Sequence, residues 1–372
     1  VIVRDPASGG ATGVLLETAA TFVRRVAPPP PAPAQLADQL ADAMRLLNSY
    51  GIVSVVDPSI DERVGEVYKR LRDEGRMTVR TDVLYKARDL DETKAGIAYT
   101  LAQRSDHMLR FPGIKFMLDG GVEGARMHAP YRIVPGEQPR ADYRGLLLAP
   151  PGERDELIAC YRQVAQAGLQ AQTHGVGDEA IDFVAGCYEE LAREYAIGDL
   201  HWCLMHVFLP TGAALEKLAA AGIHLTVQDH PVLLGHNQRR WWGDERAAAA
   251  IPIRRLLDAG FSVGGGTDGP VVPVDPFLSM DWMVTRTTLN GDVLGPEHGI
   301  TPAEALELYT RNNARILNVE DDRGSIEPGK RADLAVLSQD ILAVPPMCIR
   351  DTRALLTMVD GQVVYRAQDE SG

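Results

Sequence analysis

Apolar positions along this chain recur in two alternating rhythms. Segments with apolar residues three and four apart, the spacing of one helix face, predict helices over 35–49, 60–75, 154–167, 179–195, 211–221, 250–259, near 275–289 and over 302–317. Between or beside them lie GIVSVVD (51–57), MTVRTDVLY (77–85), GIKFMLDGG (113–121), LQAQTHGVGD (169–178), HWCLMHV (201–207), IHLTVQ (223–228) and FSVGGGTDG (261–269). These short runs suit strands covered on both faces. Such alternation, with no Gly-rich dinucleotide fingerprint, predicts an α/β fold with a parallel sheet, a (β/α)8 TIM-type barrel rather than a doubly wound sheet. Seven strands are found where eight are needed, so the count is one strand short.

The segment APPPPAPA (27–34) excludes helix and central strand, and it separates an N-terminal piece, 1–34, from the barrel region, 35–320. After Gly324 the rhythm changes. EPGKRADLAVLS (327–338) and ALLTMVDGQVVYR (354–366) read as β runs, the second turning at Asp360-Gly361, which predicts a small C-terminal β-sandwich portion within 321–372.

Composition narrows the function classes. The chain has 372 residues, 45% hydrophobic, enough for a substantial core. A net charge of -13 excludes a basic surface for nucleic acid or anionic membrane. The partners expected are small molecules or a second copy, with a homodimer as the default. Cys160, Cys187, Cys203 and Cys348 form no CxxC pair and read as free thiols of a reducing compartment. With no membrane-spanning run and no signal-peptide pattern, a cytoplasmic protein is expected.

In a barrel the chemistry lies at the carboxyl ends of the strands. The polar residues there are Asp57, Lys115 with Asp119, His174 with Asp178, His206, Gln228 with Asp229 and His230, and Asp268. Imidazoles from successive strands and a carboxylate from the last fit a divalent metal that leaves a position open for water. Each residue also has an ordinary reading. His174 serves equally as a core histidine, and Asp178 as the N-cap of helix 179–195. The GGGTDG stretch, 264–269, reads as a flexible turn or a weak phosphate cradle. Lys115 lies in an apolar strand, where either a salt bridge to Asp119 or a lowered pKa and reaction with carbon dioxide to a carbamate would accommodate it. Trp241, Trp242, Met280, Trp282 and Met283 would line a substrate pocket or fill core; RRWWGDE (239–245) would be a lid or a solvated turn.

These residues belong to longer stretches: RDPASGGATGVLLETA (4–19), GIKFMLDGGVEGARMHAPY (113–131), THGVGDEAI (173–181), GGGTDGPVVPVDPFLSMDWMVTR (264–286) and TPAEALELYTRNNARILNVEDDRGSIEPGKRADLAVLS (301–338). Together they resemble the metal-dependent amidohydrolase superfamily, within it the amidohydrolase-3 group of YtcJ-like proteins and N-substituted formamide deformylases. The resemblance implies a hydrolase that cleaves a C-N bond of an amide, formamide or cyclic amide with metal-activated water. It implies one or two divalent ions, Zn2+ foremost, with Lys115 as a carboxylated ligand, His174 and His206 as ligands, and Asp268 as ligand and proton acceptor. The family's His-x-His pair, which the resemblance places at the end of the first barrel strand, is absent, since no two of the nine histidines are separated by a single residue, and with it the first barrel strand is missing from this chain. It is expected upstream of Val1 or on a companion chain. The alternatives are a catalytically deficient barrel acting as a subunit or binding module, and a deaminase of the same superfamily.

Overall fold

The computed structural model describes residues 2–15, 19, 21–135, 142–148 and 153–368. Parts of the 4–19 motif and of the 122–150 loop lie outside them. Two short strands, β1 (Ile2–Arg4) and β2 (Ala11–Leu15), pair antiparallel, and one helical turn, α1 (Thr21–Arg24), follows. The Pro-rich break ends inside helix α2 (Pro33–Ser49), whose first position is Pro33. A proline fits there because the missing N–H would have no helical partner.

Seven strands come next: β3 (Ser54–Ile60), β4 (Arg80–Lys86), β5 (Leu109–Met117), β6 (Gln170–Gly175), β7 (Cys203–His206), β8 (His224–Gln228) and β9 (Val263–Gly266). They pair in chain order as one parallel sheet, as the alternating pattern predicts. The connecting helices are α3 (Glu62–Asp73), α4 (Leu90–Leu101), α5 (Glu153–Gln166), α6 (Asp178–Leu191), α7 (Gly212–Ala220), α8 (Pro231–Trp242), α9 (Asp244–Ala248) and α10 (Ile253–Asp258). Beyond β9 lie α11 (Pro276–Thr285), α12 (Pro302–Tyr309) and α13 (Arg311–Ile316). The sheet curls so that Cys203 and Met205 of β7 pack with Ile316 of α13 in its concavity. The large core cluster lies between its convex face and the helices.

Several boundaries differ from the sequence reading. Helix α4 was not foreseen, because its apolar residues do not gather on one stripe; Asp89 caps it by accepting the N–H of Glu92. The helix expected over 302–317 is two, broken at Thr310 with φ -126 and ψ -91. The expected helix to 289 stops at Thr285, where Arg286 turns left-handed at φ 58.

The glycines of β9 have a packing role rather than that of a flexible turn or a phosphate cradle. A Cβ on Gly264 would meet Asn313 Oδ1 at 2.3 Å, and one on Gly265 would meet the Tyr309 ring at 2.8 Å. That close approach lets Asn312 and Asn313 donate at 2.9 Å to the carbonyls of Val263 and Gly265, satisfying backbone on this outer strand.

The tail is a three-stranded antiparallel sheet, β10 (Leu334–Leu337), β11 (Ala354–Val359) and β12 (Gln362–Arg366). Its hairpin turns at Asp360 and Gly361, with φ of 51 and 77, as the sequence predicts. The sandwich portion is thus a single sheet, seated on α2 where Thr357 Oγ1 donates to Asn48 O at 2.7 Å. Buried Arg80 of β4 pairs with Asp333 through two bonds of 2.7 and 2.9 Å, fastening the sheet to the tail. Among the described residues no helix is long and apolar enough to cross a membrane.

Candidate metal centre

The placement of His174 begins one residue earlier. Thr173 points to the convex face, where its hydroxyl meets Tyr161 of α5 at 2.9 Å and Tyr188 of α6 at 2.7 Å, and all three side chains are buried. Successive side chains of a strand alternate in direction, so this anchor sends His174 into the concavity. There its Nε2 lies 3.2 Å from the carbonyl of Gly120 and 3.3 Å from Asp119 Oδ1. A carbonyl only accepts, so Nε2 carries the hydrogen and Nδ1 keeps the lone pair. A donor nitrogen backed by a carbonyl and a carboxylate is how metal-binding imidazoles are held.

Asp119 is therefore not the partner of Lys115. It is fully buried and accepts the backbone N–H groups of Arg126, Val176 and Gly177 at 2.9, 3.1 and 2.8 Å, tying the loop after β5 to the loop after β6. Lys115, also buried, forms no ion pair among the described residues, and its Nζ contacts Met205 Sδ at 2.6 Å. Burial is the main cause that pushes its pKa down to about 8, while the charge of Asp268 pulls the other way. Near neutral pH a substantial minority of such amines is uncharged and nucleophilic.

His206 ends β7. Its ring centroid lies 4.4 Å from that of His174 and 5.6 Å from that of His230. Burial, then the neighbouring His174, Lys115 and His230, hold its pKa well below the usual imidazole value, so it is neutral at pH 7. Among the described residues its buried Nδ1 has no hydrogen-bond partner, and neither has that of His230. Asp268, two residues beyond β9, lies with Oδ2 3.0 Å from His230 Nε2. One ligand atom from each of His206, His230 and Asp268 falls within 4.8 Å of the others. His206 and Asp268 both have positive φ, 78 and 58, a conformation that costs non-glycine residues energy and that gathers at functional sites.

The structure thus brings His174, His206 and Asp268 to one end of the concavity, with Lys115 on its wall and His230 beside them. Other rim residues point elsewhere. Asp57 accepts from Tyr68 of α3 at 2.9 Å. Asp178 is the first residue of α6 behind N-cap Gly177, and its Oδ1 accepts from the N–H groups of Glu179 and His128. RRWWGDE is neither lid nor solvated turn: α8 extends through Trp242, which is buried and donates to Val122 O at 3.1 Å. Trp242, Met280, Trp282 and Met283 belong to the core, with Trp241 packed partly buried against it. The four cysteines are free, as expected. His230 stood on the rim in the sequence, yet only the side-by-side ends of β8 and β9 show that it meets Asp268.

The model of the amidohydrolase family matches residues 1–365. An N-substituted formamide deformylase of Arthrobacter pascens is 27% identical over 370 residues, covering 96% of this chain and 66% of its own. The putative amidohydrolase YtcJ of Bacillus subtilis is 27% identical over 387 residues, covering 98% of this chain and 68% of its own. The chain therefore spans about two thirds of the length of these relatives. In fold it is similar to a metal-dependent hydrolase from Pyrococcus horikoshii, with a TM-score of 0.75 and 23% identity over 92% of this chain and 67% of the other.

Proposed function

This chain belongs to the amidohydrolase family, and from that premise we propose that it is a metal-dependent hydrolase of carbon-nitrogen bonds outside peptides. The observation that carries the reading is that His174 and neutral His206 lie side by side, with a ligand atom of Asp268 within 4.8 Å of one of His206, at the carboxyl end of one parallel sheet. Buried imidazoles beside a half-exposed carboxylate offer N and O donors that suit zinc or a similar divalent ion. With one or two ions bound, His174, through Nδ1, and His206 would hold one, Asp268 would bind metal beside them, and Lys115 would join as a bridging carbamate. When bound, such an ion supplies Lewis acidity that polarises a carbonyl and acidifies water.

The remaining chemistry falls to the chain. Asp268 accepts a proton from the attacking water at its carboxylate and passes it to the departing nitrogen. Asp119 and the Gly120 carbonyl keep the His174 ring in one tautomer. The proposed substrate is an amide, formamide or cyclic amide with an apolar part, the class to which the substrate of the Arthrobacter pascens relative belongs by name. The proposed setting is the cytoplasm, where buried thiols at Cys160, Cys187 and Cys203 stay reduced.

The test is metal content of protein purified without chelator, followed by amine release from a panel of N-substituted formamides and cyclic amides. Bound zinc with release of amine is expected. Protein that holds no metal and hydrolyses none of the panel after zinc addition overturns the proposal and favours a non-catalytic subunit. Labelled bicarbonate gives the carbamate its own readout, a carbon-13 carbamate resonance that is absent in Lys115→Ala.

A further inference from the structure

No residue from the end of β8 is among the ligands that the family resemblance implies, yet His230 occupies a ligand's place. It lies between His206 and Asp268, and the three residues come from the ends of β7, β8 and β9, adjacent strands of the sheet. We propose that His230 is a ligand of the metal, so that His206, His230 and Asp268 form a two-histidine, one-carboxylate site within this chain that does not depend on a His-x-His pair. The proposal rests on the metal-dependent reading above.

Three observations support it. First, the His230 Nε2 to Asp268 Oδ2 distance is 3.0 Å. Donors on one zinc ion are about 3.3 Å apart when each bond is about 2.0–2.1 Å and the angles are tetrahedral. The pair therefore already has the separation of two donors on one ion, with a proton between them in place of the metal. Second, His230 is buried beside His206, and one ligand atom from each of His206, His230 and Asp268 lies within 4.8 Å of the others, close enough for a single ion. Third, the positions are fixed from outside the trio. Pro231 at the first position of α8 begins the helix directly after His230, and the Phe208 ring lies 5.4 Å from the imidazole. One side of the carboxylate is exposed, which leaves a coordination position open to solvent.

The experiment measures Zn2+ affinity by chelator competition for the wild-type protein, His230→Ala, His230→Gln and the exposed control His236→Ala. Loss of an outer hydrogen bond to a ligand costs about 10–100-fold in metal affinity, so loss of a ligand should exceed ~100-fold. Both His230 variants are expected to lose that much, with His236→Ala unchanged. Glutamine keeps a donor for Asp268 but offers no imidazole nitrogen. Near-wild-type affinity in His230→Gln would show that His230 only holds Asp268, and the inference falls while the hydrolase reading stands. A wild-type protein that binds no divalent ion overturns both. Should the variants misfold, cadmium-113 loading of wild-type protein with nitrogen-15 histidine decides: cadmium coupling to the His230 ring supports the proposal, and an uncoupled His230 ring overturns it.

Discussion

Asp119 Oδ1 lies 3.3 Å from His174 Nε2, and the same carboxylate accepts three backbone N–H groups from two loops. One buried acid thus orients a candidate ligand and joins the loops that follow β5 and β6. Asp119→Ala leaves those N–H groups without an acceptor and should destabilise the protein by about 3–5 kcal/mol, read by urea unfolding. At temperatures where the variant stays folded, metal affinity should fall by about 10–100-fold, because the His174 ring loses its support. Wild-type stability in this variant would contradict the described network.

Lys115 gives a pH dependence with a definite sign. Its folded pKa of about 8 lies below the ordinary 10.5, so between those values the unfolded chain binds more protons and stability rises with pH. The burial penalty is complete below pH 8 and gone above about 10.5. Lys115→Met should therefore stabilise the metal-free protein by up to about 3 kcal/mol at pH 7, with the gain from this group vanishing toward pH 11. Denaturant midpoints of both proteins across that range, in carbon dioxide-free buffer, measure it.

Asp229 behaves in the opposite sense. It is fully buried, and burial, more than the nearby charges of Asp275 and Asp268, raises its pKa to about 7. The folded protein holds this proton more tightly than the unfolded chain, so its contribution to stability declines as pH rises from about 4 to 7. Asp229→Asn should be more stable than wild type by about 3–4 kcal/mol at pH 8, with the difference closing below pH 4. An equal difference at both ends would assign the effect to shape rather than charge.

Arg286 is buried and donates to the carbonyls of Leu294, Ile251 and Ala250 at 2.9, 3.0 and 2.7 Å, with its guanidinium 4.2 Å from the Trp282 ring centroid. Arg286→Lys cannot span three acceptors and should cost about 2–4 kcal/mol in thermal or urea unfolding. Lysine at wild-type stability would mean that the fork does not fasten these loops.

Much of the architecture was legible in local pattern. The alternation that predicted a parallel sheet depends on which face each residue must bury, a property of neighbours in sequence. The same holds for the turn at Asp360-Gly361, where permitted φ decides the outcome, whereas Pro33 opens α2 inside a segment read as excluding helix. The positions of His174, His206 and Asp268 near strand ends followed from that pattern.

What only the tertiary structure decided is which of those side chains meet. Lys115 and Asp119 are four residues apart, yet Asp119 turns to His174 because backbone N–H groups from a distant loop need an acceptor. His230 and Asp268 are far apart in sequence and 3.0 Å apart in space because adjacent strands end side by side. Trp242 and Trp282, which the sequence left open between pocket and core, are core because helix packing buries them. Periodicity records which face of an element is covered, but a pair of side chains is brought together by the register and curl of the sheet, and those arise from contacts summed over the whole chain.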